Sequence, residues 1–553
     1  MQNIRAGSTG VDFAGGAALA LVAAAWLPGA AGAQDELFSS TGEAGSHYGW
    51  AVTRAGDADG DGRQDLLIGG DGVEVTVRSG ADHGILYQIP PPTPGGLFGR
   101  AVAPIGDVDG DLVEDVVVGA SAAGGAGQGE VYVYSGASGA LLITRTGEAG
   151  SDQFGFAVAG AGDVDLDGVP DFLVGAHNAN PNGNNSGRAY VYSGSDGSLL
   201  RSHDGPAANN LLGRSVAPAG DLDADGRADY VVGASGVAGG GRLQVFAGLD
   251  GGVIHQVGGD GGSLGNFADG GVDVNRDGVP DFAGGDLNDD QSATNAGMVR
   301  VYSGVDASLL LEFLGEATAD RLARVALSGD ANGDGFGDVV VGALNANGPG
   351  GADAGRAYLR SGQDGSLLLT LDGVGAGDLL GSVGAVGDLD GDGLHDVVVG
   401  ARNEDGLEVD EGSVRVLSGP NTVFLASNDS LAVTQGGFQD LDLELGSAFA
   451  GRTYLVLGSA EGTFPPLQFG EDLFLPLSPD AYFAHTLFTP NVPPLTGSLG
   501  QLDASGAATA RFQLPSSSPS QLAGLTLYHS FLLLSDFYAD FGGPAVELEL
   551  TLF

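Results

Sequence analysis

Seven stretches of this 553-residue chain carry aspartates, or an asparagine in the middle, at alternate positions, with one more aspartate four residues on. At positions 1, 3, 5 and 9 they read Asp57, Asp59, Asp61, Asp65; Asp107, Asp109, Asp111, Asp115; Asp163, Asp165, Asp167, Asp171; and Asp221, Asp223, Asp225, Asp229. The last three read Asp273, Asn275, Asp277, Asp281; Asp330, Asn332, Asp334, Asp338; and Asp388, Asp390, Asp392, Asp396. Alternating carboxylates on a tight turn bring their oxygens to one point. They repel there unless a hard cation sits between them, and Ca²⁺ takes six to eight oxygen ligands. An Asn at position 3 still offers a carbonyl oxygen, and position 7 would supply a backbone carbonyl. Position 6 is Gly in six loops; Leu112 stands there in the second, which predicts a strained or differently shaped turn. These residues are the candidate ligands for up to seven Ca²⁺.

The EF-hand is excluded by position 12. It requires a bidentate Glu there and flanking helices, whereas this chain has Ile68, Val118, Val174, Val232, Gly284, Val341 and Val399, all within apolar runs. The Asp at position 9 is expected to close the site instead. Ordinary Asp/Gly turns would explain one such loop, but seven in one register argue for a metal. His395 lies inside the last loop at position 8 and is expected to face solvent.

The elements that must hold these loops repeat with them. The first aspartates recur at intervals of 50, 56, 58, 52, 57 and 58 residues, the signature of a repeat architecture. An aromatic residue or Leu, usually followed by Gly, precedes each loop: Tyr48-Gly49, Phe98-Gly99, Phe154-Gly155, Leu212-Gly213, Leu264-Gly265, Leu322-Ala323 and Leu380-Gly381. One strand enters the loop and a buried one leaves it, such as Val116–Val118. A polar Gly/Asn-rich loop follows, then a strand ending in Ser-Gly or Ala-Gly, as at 131–136 and 189–194, then a short last strand. Four strands in each of seven repeats predict an all-β, seven-bladed β-propeller. Two segments compete to complete the seventh blade, Glu36 to Ser39 and Thr422 to Ala426. The repeat stops near residue 420. Alternating runs between Pro-rich turns in 421–553 predict a separate β-sandwich-like domain.

Composition narrows the functional classes. The 101 glycines follow no collagen period and cluster at turns. Net charge is −50, with all 21 basic residues arginine, which excludes phosphate backbones as partners. The loops hold 26 of the 71 acidic residues, so bound cations would relieve much of the self-repulsion. Absence of cysteine excludes disulfides, thiol catalysis and Cys–zinc sites. Arg5, the apolar stretch Ala14 to Leu27 and the small residues Ala31-Gly32-Ala33 predict a secretory signal peptide over 1–33, the alternative being an N-terminal anchor. No later segment is long and apolar enough to span a membrane as a helix.

The Phe-Gly starts, the D-x-D-x-D-G-x-x-D loops and the Val-Gly-Ala that follows (118–120, 174–176, 232–234, 341–343, 399–401) resemble FG-GAP repeats, those of the integrin α-subunit propeller. The resemblance covers 37–420. It implies a seven-bladed propeller over 34–420, calcium between the first two strands of a blade, and a ligand face away from the calcium. All seven repeats carry the loop, more than integrins usually have, which favours a bacterial-style secreted protein over a receptor subunit.

The leading expectation is therefore a secreted or cell-surface calcium-binding propeller, not an enzyme, that takes an extracellular protein or glycan. Its ligand loops would include His177 to Arg188, Leu344 to Arg356 and Arg402 to Ser413. An enzyme acting on carbohydrate or lipid is the alternative, but the eight histidines form no ligand or catalytic spacing and no G-x-S-x-G is present. A third reading is a cell-envelope component anchored through 421–553.

Overall fold

The structure, a computed structural model, describes residues 36–390, 393–405 and 409–418 and, beyond 420, the backbone of the strands. The segment expected to be a signal peptide, and Asp392 of the last aspartate loop, lie outside the described residues. Packing divides the chain into two compact units, Gln34–Pro420 and Asn421–Phe553. Every regular element among the described residues is a strand, and no described helix could cross a membrane.

Seven four-stranded antiparallel sheets make up the first unit: it is an all-β, seven-bladed propeller. The second blade shows the plan, with strands Phe98–Gly106, Asp115–Ala120, Glu130–Tyr134 and Leu141–Thr146 in order from the axis outward. The innermost strands of the other blades are Ala51–Arg54, Ala157–Gly162, Leu212–Gly220, Phe267–Val272, Leu322–Leu327 and Leu380–Gly387. Each packs beside the next, and the last lies beside the first.

Burial explains the sequence pattern of the second strands. Asp115–Ala120 (DVVVGA) and Asp229–Ala234 (DYVVGA) are buried along their whole length, because each is flanked by strands on both edges and by blades on both faces. That removes the polar/apolar alternation expected of a one-sided sheet. Large side chains fill the spaces between blades. Phe154 packs edge-on against Tyr190 at 5.3 Å and Phe98 against Tyr132 at 6.0 Å. The glycines of the repeat mark where one blade's backbone meets the next. A Cβ on Gly119 would fall on the carbonyl oxygen of Gly155, well inside the 3.0 Å that real Cβ atoms keep.

The seventh blade contains Leu380–Gly387, Asp396–Ala401 and Ser413–Leu417, and its outermost strand is the N-terminal Glu36–Thr41. Thr41 pairs with Ser413 and Phe38 with Val416. The competing segment, Val423–Ala426, pairs instead with Gly437–Glu444 in the second unit. There the strands form mainly a four-stranded sheet and a larger one built around Thr526–Ser535.

Candidate metal centre

Each innermost strand runs from its Phe-Gly-like start directly into an aspartate loop, so all seven loops lie at one end of the ring and the starts at the other. The loop shape is written in its own hydrogen bonds. In the first, the N–H groups of Asp61 and Gly62 donate to the two carboxylate oxygens of Asp57 at 3.0 and 2.9 Å. Asp61 N–H also reaches Asp59 Oδ1 at 3.1 Å, and Arg63 N–H reaches Asp61 Oδ1 at 2.8 Å. These are side-chain-to-backbone turns, the local bonds that favour Asp over other acids here. Asn275 and Asn332 replace the acid at position 3 without changing the turn. Their Oδ1 atoms accept from Asp277 and Asp334 N–H, both at 2.9 Å.

Leu112 takes the same place as the glycines. Its N–H donates to Asp107 Oδ2 at 2.9 Å, as Gly62 does to Asp57, so the second loop keeps the common shape. The cost is a left-handed φ of 74° with the side chain 91 % exposed.

Position 9 does more than its spacing suggests. Asp65 is fully buried; its Oδ2 accepts from Ala58 N–H at 2.6 Å and its Oδ1 from Gly80 N–H at 2.9 Å. The Gly partner is the glycine of Ser-Gly or Ala-Gly at the end of the third strand. The same bonds join Asp115 to Gly136, Asp171 to Gly194, Asp229 to Gly248, Asp281 to Gly304 and Asp338 to Gly362. The recurrence of Ser-Gly after every third strand was the sequence signal for this tie, which the spacing of acids alone does not show. Burial pushes Asp65, Asp115, Asp171 and Asp281 up to about 6, and Asp338 to about 7. Backbone N–H donors pull each back, and carboxylates of the same loop push further.

Carboxylate oxygens converge in five loops. One oxygen from each of Asp57, Asp59 and Asp61 lies within 4.8 Å of the others, and likewise for Asp221, Asp223 and Asp225. In Asp107/Asp109/Asp115, Asp163/Asp165/Asp171 and Asp388/Asp390/Asp396 the position-9 carboxylate completes the trio at the same 4.8 Å limit. The other two loops are those with Asn at position 3. In the third loop Asp163 Oδ1 is buried with no hydrogen-bond partner, while Oδ2 accepts from Gly168 N–H at 3.0 Å. An orphaned carboxylate oxygen beside two further carboxylates is costly unless a cation is shared among them. All-oxygen donors of this kind fit a hard divalent ion.

Neighbouring loops are tied to one another. Arg63 donates to the Leu389 carbonyl at 2.9 Å, and Arg227 to the Val164 carbonyl at 2.7 Å. His395 does not face solvent as expected. It is half-buried, its Nδ1 lies 3.0 Å from Gly329 N–H of the preceding repeat, and its backbone N–H donates to the Asp330 carbonyl at 2.9 Å. A residue next to a loop's aspartates is thus spent on fixing the adjacent loop.

Comparison with known proteins agrees with this architecture. The FG-GAP repeat model matches residues 154–192 and 380–417. Over 203 residues the chain is 31% identical to integrin alpha-5 of Xenopus laevis, covering 33% of this chain and 19% of that protein. Integrin alpha-2 of Mus musculus is 31% identical over 122 residues, covering 20% and 10% of the two chains. Integrin alpha-E of Mus musculus is 33% identical over 122 residues, covering 19% and 10%. The chain thus spans less than a fifth of the length of these relatives. Its blades form an FG-GAP, integrin α-like propeller.

Proposed function

We propose that this propeller is a secreted or cell-surface binding module whose blades are held by Ca²⁺ and whose opposite face takes a macromolecular ligand, protein or glycan. The observation that carries the reading is the segregation of the two ends. The aspartate loops occupy one end, leaving at the other the long loop His177 to Arg188 and its counterparts. In this reading the 28 residues named at positions 1, 3, 5 and 9, from Asp57 to Asp396, hold the ions. Calcium supplies charge compensation and cross-links each turn to the start of the second strand; it performs no chemistry on a ligand. The protein is then non-enzymatic. Residues 1–33 act as a signal peptide, 34–420 as the propeller, and 421–553 as a β-sandwich-like domain that could serve anchoring or assembly.

Support comes from Asp163 Oδ1, buried without a partner, and from relatives that are integrin α-subunits. The polar loop 177–188 is itself preformed. Asn182 donates to the Gly205 carbonyl at 3.0 Å, and Asn180 Oδ1 accepts from Asn185 N–H at 2.8 Å. A rigid Asn-rich loop loses little entropy on binding. The test is a glycan and extracellular-protein array probed with full-length protein in calcium and in EGTA. A calcium-dependent hit abolished by replacing 178–185 with a short Gly/Ser loop supports the reading. A hit indifferent to both sinks it.

A further inference from the structure

The residue after each Phe-Gly-like pair lies at the start of an innermost strand, at the end of the ring opposite the aspartate loops. Round the ring these are Trp50, Arg100, Phe156, Arg214, Asn266 with Phe267 beside it, Arg324 and Ser382. Aromatic residues stand in blades one, three and five, and arginines in two, four and six. Arg402, directly after the second strand of blade seven, completes the set.

These side chains touch. Arg100 lies over the Trp50 ring at 4.0 Å and Arg402 over the same ring at 4.3 Å, so one indole contacts two guanidinium groups. Arg214 lies 4.4 Å over Phe156, which also packs against His177 at 4.2 Å, and Arg324 lies 5.0 Å over Phe267. Flat aromatic faces explain how the arginines are positioned but do not neutralise them.

The charge balance is unusual. Arg100 is paired with Asp71 through two bonds of 2.9 and 2.6 Å. Among the described residues no carboxylate pairs with Arg214, Arg324 or Arg402, although all three are only part-exposed and the chain carries a net charge of −50. Arg214 has only His177 Nε2, at 3.4 Å. Arg324 Nε and His177 Nδ1 are buried with no partner at all. Burial pushes Arg324 down to about 9, the Arg402 charge adding to it, and lowers Arg402, with Arg100 adding. A guanidinium stays charged at neutral pH. Charges withdrawn from water are normally paired, yet among the described residues these three have no carboxylate partner.

We infer that this axial mouth is a binding site for one compact oxyanion, a carboxylate or a sulfate- or phosphate-type group presented by a ligand. Guanidinium forks match such groups in two-point geometry. The surrounding negative field repels extended polyanions, which restricts the occupant to a single anionic group. The inference deepens the binding role proposed above but rests on the arginine ring, so it stands even if loop 177–188 binds nothing.

Full-length protein in calcium is titrated with sodium sulfate and, separately, with sodium glucuronate, ionic strength being held constant with chloride. Trp50 emission and calorimetry are the readouts; the other tryptophan, Trp26, precedes the propeller. The expected result is saturable binding that falls at least tenfold in Arg324→Gln/Arg402→Gln and is unchanged in Arg145→Gln, on an outermost strand. Tighter binding of glucuronate assigns a carboxylate ligand; tighter binding of sulfate assigns a sulfated or phosphorylated one. Should the double variant lose its calcium-dependent melting transition, the singly substituted Arg402→Gln and the charge-keeping Arg324→Lys replace it, with loss expected in the first and partial retention in the second. Absence of saturation with either salt, or equal affinity in the folded arginine variants, overturns the inference.

Discussion

Gly400, on the second strand of the last blade, lies against the carbonyl oxygen of Gly49 at the start of the first, so closely that a Cβ on Gly400 would overlap it. The same contact joins Gly69 to Gly99 and Gly175 to Gly213 round the ring. This contact is where the last blade meets the first. Gly400→Ala is expected to destabilise the propeller by about 3 kcal/mol, as overpacking against backbone cannot relax by a rotamer change. Gly60→Ala is the comparison: its φ is 76° with nothing within 4 Å of the added carbon, so only the left-handed strain of about 1 kcal/mol applies. Urea titration in calcium separates the two, and equal effects would contradict the seam argument.

Closure through the N-terminal strand makes a second prediction. Glu36–Thr41 covers the edge of Ser413–Leu417, and removing it leaves that strand with an unpaired row of N–H and C=O groups. A chain beginning after Thr41 should melt lower and self-associate through the new edge, as read by calorimetry and light scattering. An unchanged melting point would mean that the seventh blade does not need its fourth strand.

Leu112 predicts a gain. It holds a left-handed φ of 74° and buries almost nothing. Leu112→Gly should stabilise by about 1 kcal/mol, because glycine adopts this conformation without a Cβ penalty. A loss of stability would show that the leucine has a contact that this geometry does not provide.

Asp269, on the innermost strand of the fifth blade, carries a pH dependence outside the aspartate loops. Burial pushes it up to about 6 from the usual 3.8, against the pull of Leu327 N–H at 2.7 Å and the Arg54 charge. The native state then holds the proton more tightly than the unfolded state. Stability contributed here is complete below pH 4 and lost as pH rises to 6. Asp269→Asn should therefore be more stable than the parent at pH 7, by about 1–2 kcal/mol after allowing for partial exposure, with the difference vanishing near pH 4. A difference that does not vary with pH would contradict the assignment.

Much of this architecture was legible because repetition multiplies weak signals. Seven aspartate loops at nearly equal intervals announced seven blades, and position-12 residues such as Val118 and Val399 marked the buried second strands. What escaped was whatever depends on ring closure. Glu36 to Ser39 and Thr422 to Ala426 are both short strand-like segments; only pairing with Ser413–Leu417 distinguishes them. His395 was misjudged because its partner, Gly329, lies one repeat away. Trp50, Arg100 and Arg402 are far apart in sequence, and nothing local says that two guanidiniums share one indole.

The central claim is that the aspartate loops hold calcium and that calcium holds the blades. Differential scanning calorimetry of the full chain, first in EGTA and then over a range of free Ca²⁺, tests it most directly. Each site filled at a hundred times its dissociation constant adds about 2.7 kcal/mol. The propeller transition should therefore move upward by well over ten degrees and keep rising with the logarithm of free calcium. Asp163→Ala, removing the orphaned oxygen of the third loop, should flatten that slope. A melting curve identical in EGTA and in millimolar calcium would contradict the account.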